Sequence, residues 1–426
     1  MTRCSADSIR VSNSSLTATS RPATEAAAEN EAANGAHPAP WPLLSLDVGA
    51  MLEAGYRPVP FRQFILKVHS RCNLSCSYCY VYEMTDQGWR TLPKRMSDEL
   101  ADTAVERIAE HVREHGLTSV EAILHGGEPL LAGRDWLAKL AQTLHARVPA
   151  QVKVTVQTNG TLLDRRMLQT FKELGVRVGV SVDGDAEATA RHRRYADGRN
   201  SYAAVTNGVQ LLNSPGFGDC YAGLLCTIAV RNDPISTYEA LLKFRPPAID
   251  FLLPHANWDC PPPDSGYADW LIAIFERWYT APVQETSIRL FSELIQLVLG
   301  KPSGVDGLGT AASTLVVIDT DGAIKQLDSL SSAYPGAADT GLHITTYSLS
   351  EALIHPTTIA RQIGTAALPA ECLACPALEL CGGGLYPHRF RHGEGFRNPS
   401  VYCADLLRLT THVRDRVRAD VRCLTY

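Results

Sequence analysis

The chain has 426 residues, 45 % of them apolar and 20 % charged, which is globular material in excess of one ordinary domain. Its formal charge of −5 gives no basic field for nucleic acid, and no apolar run reaches the ~18 residues that a membrane span needs. Residues 1–40 are rich in Ala, Ser, Thr, Glu, Asn and Pro without apolar periodicity, so a disordered tail is expected there. No apolar h-region follows the first basic residues, which makes the cytoplasm the expected location.

Residues 62–69 (RQFILKVH) read as a buried strand that leads into a first group of cysteines. A helix is predicted over 97–115, with Ser97 as N-cap and Leu100, Ala104, Val105 and Ile108 on one face. Strands over 120–126, 152–158, 176–184, 222–230 and 249–253 alternate with helices over 136–147, 164–174, 202–212 and 236–243. Six strands at βα spacing imply parallel pairing with right-handed crossovers. The predicted fold is therefore α/β, a partial (β/α)6 TIM-like barrel over residues 41–260. In such folds chemistry sits at the C-terminal strand ends, and HSRCNLSC, HGGEP, QTNG, SVDG and PHANWD all fall there. Residues 261–312 read as a helical bridge, with helices over 269–279 and 286–299. In residues 313–426, a hairpin over 315–326 turns at Asp321-Gly322, a loop-rich segment carries four cysteines, and a helix over 401–417 closes the chain.

Twelve cysteines in a reducing compartment are not expected to form disulfides, and their clustering points to metal or catalysis. Cys72, Cys76 and Cys79 can ligate three irons of a cubane cluster and leave the fourth open to a small molecule. Structural zinc prefers four protein ligands in two pairs; His69 could complete such a set, so zinc stays as an alternative. Tyr78 is an aromatic able to pack beside a bound adenine. In Gly126-Gly127-Glu128-Pro129 the glycines permit close backbone approach, and a carboxylate or carbonyl can accept from an ammonium. Asn159 reads as a turn former. Cys372, Cys375, Cys381 and Cys403 can close a site completely, as iron–sulfur or as zinc. Cys220 and Cys226 read as core residues, and Cys4 and Cys423 as free terminal thiols.

RCNLSCSYCY followed by GGEP at the next strand end resembles the radical S-adenosylmethionine (SAM) superfamily. The resemblance implies a catalytic [4Fe–4S] cluster on Cys72, Cys76 and Cys79. It also implies SAM held by Gly126, Gly127 and Glu128, by Ser181 and Arg193 near the SVDG segment, and beside Tyr78. Reductive cleavage of SAM would then yield a 5′-deoxyadenosyl radical that abstracts hydrogen from a substrate. The C-terminal cysteines resemble the second auxiliary cluster of SPASM domains, found on peptide-modifying members. Where that pattern expects further cysteines this chain has Leu327 and Leu385, so one auxiliary [4Fe–4S] cluster is expected. Asp328 stands where sulfatase-maturing relatives carry a proton-accepting aspartate.

VYEMTDQGWR, LHGGEPLLAG, LLPHANWD, CGGGLYPHRFR and GFRNPSVYCADL resemble the FxsB-type SPASM maturases, which form three-residue cyclophanes. This implies a ribosomally synthesised precursor peptide as substrate. The product would carry a C–C bond between an aromatic ring and the β-carbon two residues on. An electron donor such as flavodoxin or ferredoxin would be the second partner. His255, Asn257 and Trp258 would line the peptide site, and His388 and Arg389 would face it or support its loop. The alternative activity is formylglycine formation in a sulfatase, and the non-enzymatic alternative is a zinc-stapled binding module.

Overall fold

The computed structural model describes residues 40–424, so the expected N-terminal tail and Cys4 lie outside the described residues, apart from Pro40. The strands are β1 (Gln63–His69), β2 (Leu74–Cys76), β3 (Ser119–Gly126), β4 (Gln151–Thr158), β5 (Arg177–Ser181), β6 (Arg193–Tyr195), β7 (Tyr221–Thr227) and β8 (Ala248–Leu252). Four more follow: β9 (Ser287–Ile288), β10 (Leu315–Ile318), β11 (Ala323–Lys325) and β12 (Asp339–His343). Ten of these form one sheet in the order β12-β11-β10-β1-β3-β4-β5-β7-β8-β9, and β2 pairs with β6 outside it. The six strands expected from the sequence lie side by side in chain order, all parallel. The sheet curves as a partial barrel, and it ends at β9 and β12 without closing.

The major helices are α1 (Asp98–Glu114), α2 (Arg134–Arg147), α3 (Arg165–Glu173), α4 (Tyr202–Leu212), α5 (Pro234–Leu242), α6 (Tyr267–Tyr279), α7 (Arg289–Val298) and α8 (Cys403–Leu424). Ser97 caps α1 by accepting from Leu100 N at 3.2 Å, and Ala101, Ala104, Val105, Ile108 and Val112 are buried against the sheet. Among the described residues no helix is long and apolar enough to cross a membrane.

Burial alternates along the strands, and this alternation positions the site. Phe64, Leu66 and Val68 of β1, and Val120, Ala122 and Leu124 of β3, are buried beneath the helices. Their neighbours Ile65, Lys67, Ile123 and His125 point to the concave face. A doubly covered parallel sheet would be apolar on both faces. Here the concave side carries Lys67, His125, Gln157, Ser181 and Thr227 towards the strand ends, as a site rather than a core does.

The structure departs from expectation in two elements. The hairpin does not stand apart from the barrel: β10 pairs in parallel with β1, Gln63 opposite Leu315 through Leu66 opposite Ile318. The helix expected over 286–299 opens with β9, which extends the other edge, and α7 starts only at Arg289.

Candidate active site

The loop after β1 folds back as β2, whose pairing with β6 sets Cys76 opposite Arg193. Cys72, Cys76 and Cys79 thus gather at the C-terminal end of β1, and all are part-buried. Burial pushes the Cys72 thiol up to about 12 and the Cys76 thiol up to about 11, and it raises Cys79 as well. Backbone N–H groups already aim at sulfur: Leu74 N lies 3.4 Å from Cys72 Sγ, and the amides of Val81 and Tyr82 point to Cys79. Such donors suit thiolates, and iron removes thiol protons that burial alone retains. The three residues therefore fit a cluster.

The GGEP segment packs directly on this loop. Gly127 N donates to His69 O at 2.8 Å, and Glu128 N to Arg71 O at 3.0 Å. A Cβ on Gly126 would lie 2.2 Å from His69 O, and one on Gly127 would lie 1.8 Å from the Tyr82 hydroxyl, so both positions require glycine. Glu128 is fully buried, which raises its carboxyl. The carboxylate accepts from Leu130 N at 2.9 Å, Thr158 Oγ1 at 2.7 Å and Asn159 N at 2.8 Å. It ties the end of β3 to that of β4. Asn159 does more than form a turn: its Oδ1 accepts from Thr161, and its Nδ2 donates to Asn73 at 2.8 Å and reaches Cys72 Sγ at 3.7 Å.

Tyr78, Asp183 and Arg193 form a buried chain. The Tyr78 hydroxyl donates to Asp183 Oδ2 at 2.6 Å and accepts from Arg193 Nη1 at 2.9 Å. Arg193 Nε is buried without a partner among the described residues, which leaves a donor for an anionic ligand group. Ser181 accepts from Gln157 Nε2 at 2.9 Å; Gln157 lies across Gly179, where a Cβ would come within 2.3 Å of Oε1.

Asp328 opens a 3-10 turn, Asp328–Ser332, that β10 and β11 carry to the barrel mouth. Its Oδ2 accepts from Lys67 Nζ at 3.1 Å and the Tyr80 hydroxyl at 2.7 Å, and His125 Nδ1 stands 3.9 Å away. Burial alone would raise the carboxyl, but Lys67, His125 and the two hydrogen bonds outweigh it and hold it at about 2. The turn is fixed from the loop after the cysteines, because Asp86 N donates to Ser331 O at 3.1 Å and Asp86 Oδ2 accepts from Gly336 N at 3.0 Å. A small cleft lies here, bounded by Lys67, Asp86, Trp89, Gly127, Asp319 and Asp328 among others.

Of the three residues expected to line a peptide site after β8, His255 lies beside the Asp328 group. The His255 ring meets Tyr80 edge-on at 4.8 Å. Asn257 is instead a buried strut that donates to Ser332 O at 3.0 Å, and Trp258 is exposed, its Nε1 donating to Pro399 O at 2.8 Å. Lys67, Tyr80, His125 and Asp183 were not singled out by the sequence reading. The one available signal was ionisable residues inside otherwise apolar strands, ILKVH and AILHG.

The C-terminal thiols of Cys372, Cys375, Cys381 and Cys403 line one cavity with Leu378, Ser400 and Leu407. Gly382, Gly383 and Gly384 have φ of 59°, 84° and 70°, and they wrap the buried Arg389, whose guanidinium donates to all three carbonyls. That cation faces Cys372 and Cys381 and suits a four-thiolate cluster. Among the described residues no group of three or more His, Cys, Asp or Glu side chains is placed to hold a metal ion; the four C-terminal thiols share the lining of one cavity. Leu327 and Leu385, at the positions without cysteine, pack into one apolar cluster with Trp41, Leu330, Tyr386, Phe390 and Phe396. Cys220 and Cys226 are core residues.

Residues 66–244 match the radical SAM superfamily. A serine-type anaerobic sulfatase-maturating enzyme of Bacteroides thetaiotaomicron is 25 % identical over 392 residues, covering 83 % of this chain and 89 % of that protein. The solved structure of native anSMEcpe with bound AdoMet and Cp18Cys peptide aligns with a TM-score of 0.70 at 22 % identity, over 85 % of this chain and 99 % of that one. Streptococcus suis SuiB bound to precursor peptide SuiA aligns with a TM-score of 0.53 at 11 % identity, over 82 % and 77 %. With the three thiols at the end of β1 and GGEP packed on their loop, residues 66–244 are a radical SAM domain.

Proposed function

We propose that the enzyme removes two hydrogens from a side chain of a peptide or protein substrate. The observation that carries this reading is Asp328, delivered to the barrel mouth as a buried carboxylate between Lys67, Tyr80 and His125, one cavity away from Gly127. Cys72, Cys76 and Cys79 would hold the catalytic cluster, and Cys372, Cys375, Cys381 and Cys403 one auxiliary cluster. The backbone at Gly126, Gly127 and Glu128, together with Ser181, Arg193 and Tyr78, would hold SAM. When bound, these cofactors supply hydrogen-atom abstraction and take up one electron. The chain's own residues position the substrate, exclude water and receive the proton, with Asp328 as the charge that drives its removal.

Similarity to the sulfatase-maturating enzyme favours oxidation of a side chain to an aldehyde, as in formylglycine formation, over the cyclophane that the FxsB-type resemblance implies. Apolar packing of Leu327 and Leu385 favours one auxiliary cluster in either case. A low-potential donor such as flavodoxin or ferredoxin would supply reducing electrons.

The test uses anaerobically reconstituted enzyme, SAM and dithionite with two synthetic peptides. One carries a serine in a sulfatase-type segment, and the other an aromatic residue two positions before an asparagine. A hydrazide-reactive product from the first supports aldehyde formation. A protease-resistant ring from the second moves the assignment to crosslinking. Loss of hydrogens from neither peptide, with SAM still cleaved, removes peptide dehydrogenation as the activity.

A further inference from the structure

We infer that His125, not Asp328, receives the substrate proton on its Nε2, and that Asp328 sits behind it to orient the ring and stabilise the imidazolium. This rests on the dehydrogenation reading and names the acceptor within it.

The geometry differs sharply between the two groups. Asp328 Oδ2 is committed to two donors, Lys67 at 3.1 Å and Tyr80 at 2.7 Å. His125 projects from β3 onto the concave face, one residue before GGEP and in register with Lys67. Its Nδ1 is buried, has no hydrogen-bond partner, and faces Asp328 Oδ2 at 3.9 Å. The side chain is nevertheless 26 % exposed, so the open part of the ring is the far side, which carries Nε2. One nitrogen towards a buried carboxylate and the other towards open space is the arrangement by which a carboxylate sets the tautomer of a histidine base. Closing the gap from 3.9 Å to hydrogen-bond length needs a shift of about 1 Å.

The charged and titratable groups around the ring are Lys67 on β1, Asp328 on the 3-10 turn, and Tyr80 and His255 beyond the carboxylate. Burial lowers the His125 imidazole from its usual 6.5, Asp328 raises it and Lys67 lowers it. It is therefore neutral at pH 7 and able to accept. The Asp328 carboxyl, at about 2, lies far from the near-neutral value that favours proton transfer.

Loss of two hydrogens releases one hydrogen atom, one electron and one proton. The bound cofactors would take up the hydrogen atom and, at an iron–sulfur centre, the electron. The proton leaves the substrate as its O–H bond breaks, and it forms the Nε2–H bond of His125.

Two measurements decide. In nitrogen-15 histidine spectra of the full chain, the His125 signal, identified by its absence in His125→Gln, should show a neutral ring protonated at Nδ1, and Asp328→Asn should shift it. An Nδ1 without a proton, or a signal indifferent to Asp328→Asn, overturns the assignment without reference to any substrate. With the serine peptide, His125→Gln should lower product per SAM cleaved at least tenfold. Asp328→Asn should retain measurable turnover, with its acid limb moved to lower pH because the carboxylate that raises the imidazole is gone. Product within twofold of wild type in His125→Gln, with none at any pH in Asp328→Asn, returns the proton to Asp328. If His125→Gln fails to fold, the pH limb of Asp328→Asn decides alone. If wild type converts no peptide, the dehydrogenation reading fails, and the spectra still judge the histidine–carboxylate pair.

Discussion

The thiols after β1 and the thiols of the C-terminal cavity are held in opposite ways. Cys72, Cys76 and Cys79 hang from a regular parallel sheet, where strand ends and the β2–β6 pairing fix the loop. Cys372, Cys375, Cys381 and Cys403 come from short turns and the start of α8, and their loop is shaped by glycines at positive φ around one arginine. The first arrangement borrows its rigidity from a large core. The second is set by local backbone freedom and a single buried cation, so it should yield to smaller insults.

The strongest test of that contrast is to remove each set. Replacing Cys72, Cys76 and Cys79 by Ala should abolish 5′-deoxyadenosine formation and lower iron from about eight to about four per chain, at four per cubane. Zinc with little iron in the wild type would dismiss both cluster assignments. Next, Gly382→Ala places a Cβ 1.6 Å from Gly309 O, a backbone atom that cannot step aside. It should bring iron towards about four per chain while SAM cleavage persists. Iron content equal to wild type would show that the C-terminal loop absorbs the clash without losing its thiol geometry.

The smallest effect expected is on stability. Lys67→Met leaves Asp328 charged in a buried site without its lysine partner, which should cost about 3–5 kcal/mol in urea unfolding, whereas Lys67→Met with Asp328→Leu should recover most of it. Asp328 has its carboxyl at about 2, below the ordinary 3.8. Its stabilising contribution is thus present above about pH 4 and lost as pH falls towards 2. Asp328→Asn should flatten that stretch of the acid-unfolding curve, and an unchanged curve would mean that the pair contributes nothing.

Much of the first region is legible in the sequence because its information is local. RCNLSC, GGEP and SVDG each sit at a strand end, and the alternation in SVEAILHG fixes which residues face inward. Lys67 and His125 were readable as inward-facing, but their meaning depends on Asp328, which arrives from a distant hairpin and meets them only through the β1–β10 register. Asn257 and Trp258 misled for a related reason. Their position after β8 suggested a lining role, but residues 332 and 399, far along the chain, claim their polar atoms. Leu327 and Leu385 mark the reverse case. Two missing cysteines were visible in the sequence, and their common apolar cluster was not.

The β1–β10 pairing also sets a timetable. As the chain leaves the ribosome, Cys72 to Cys79 and GGEP are made while β1 still presents one bare edge, and Leu315 is not yet synthesised. Trp41 waits longer still: Gly395 packs against its backbone, and Arg397 covers its ring at 4.8 Å. The cysteine loop and GGEP are thus complete in sequence well before the carboxylate beside His125 exists.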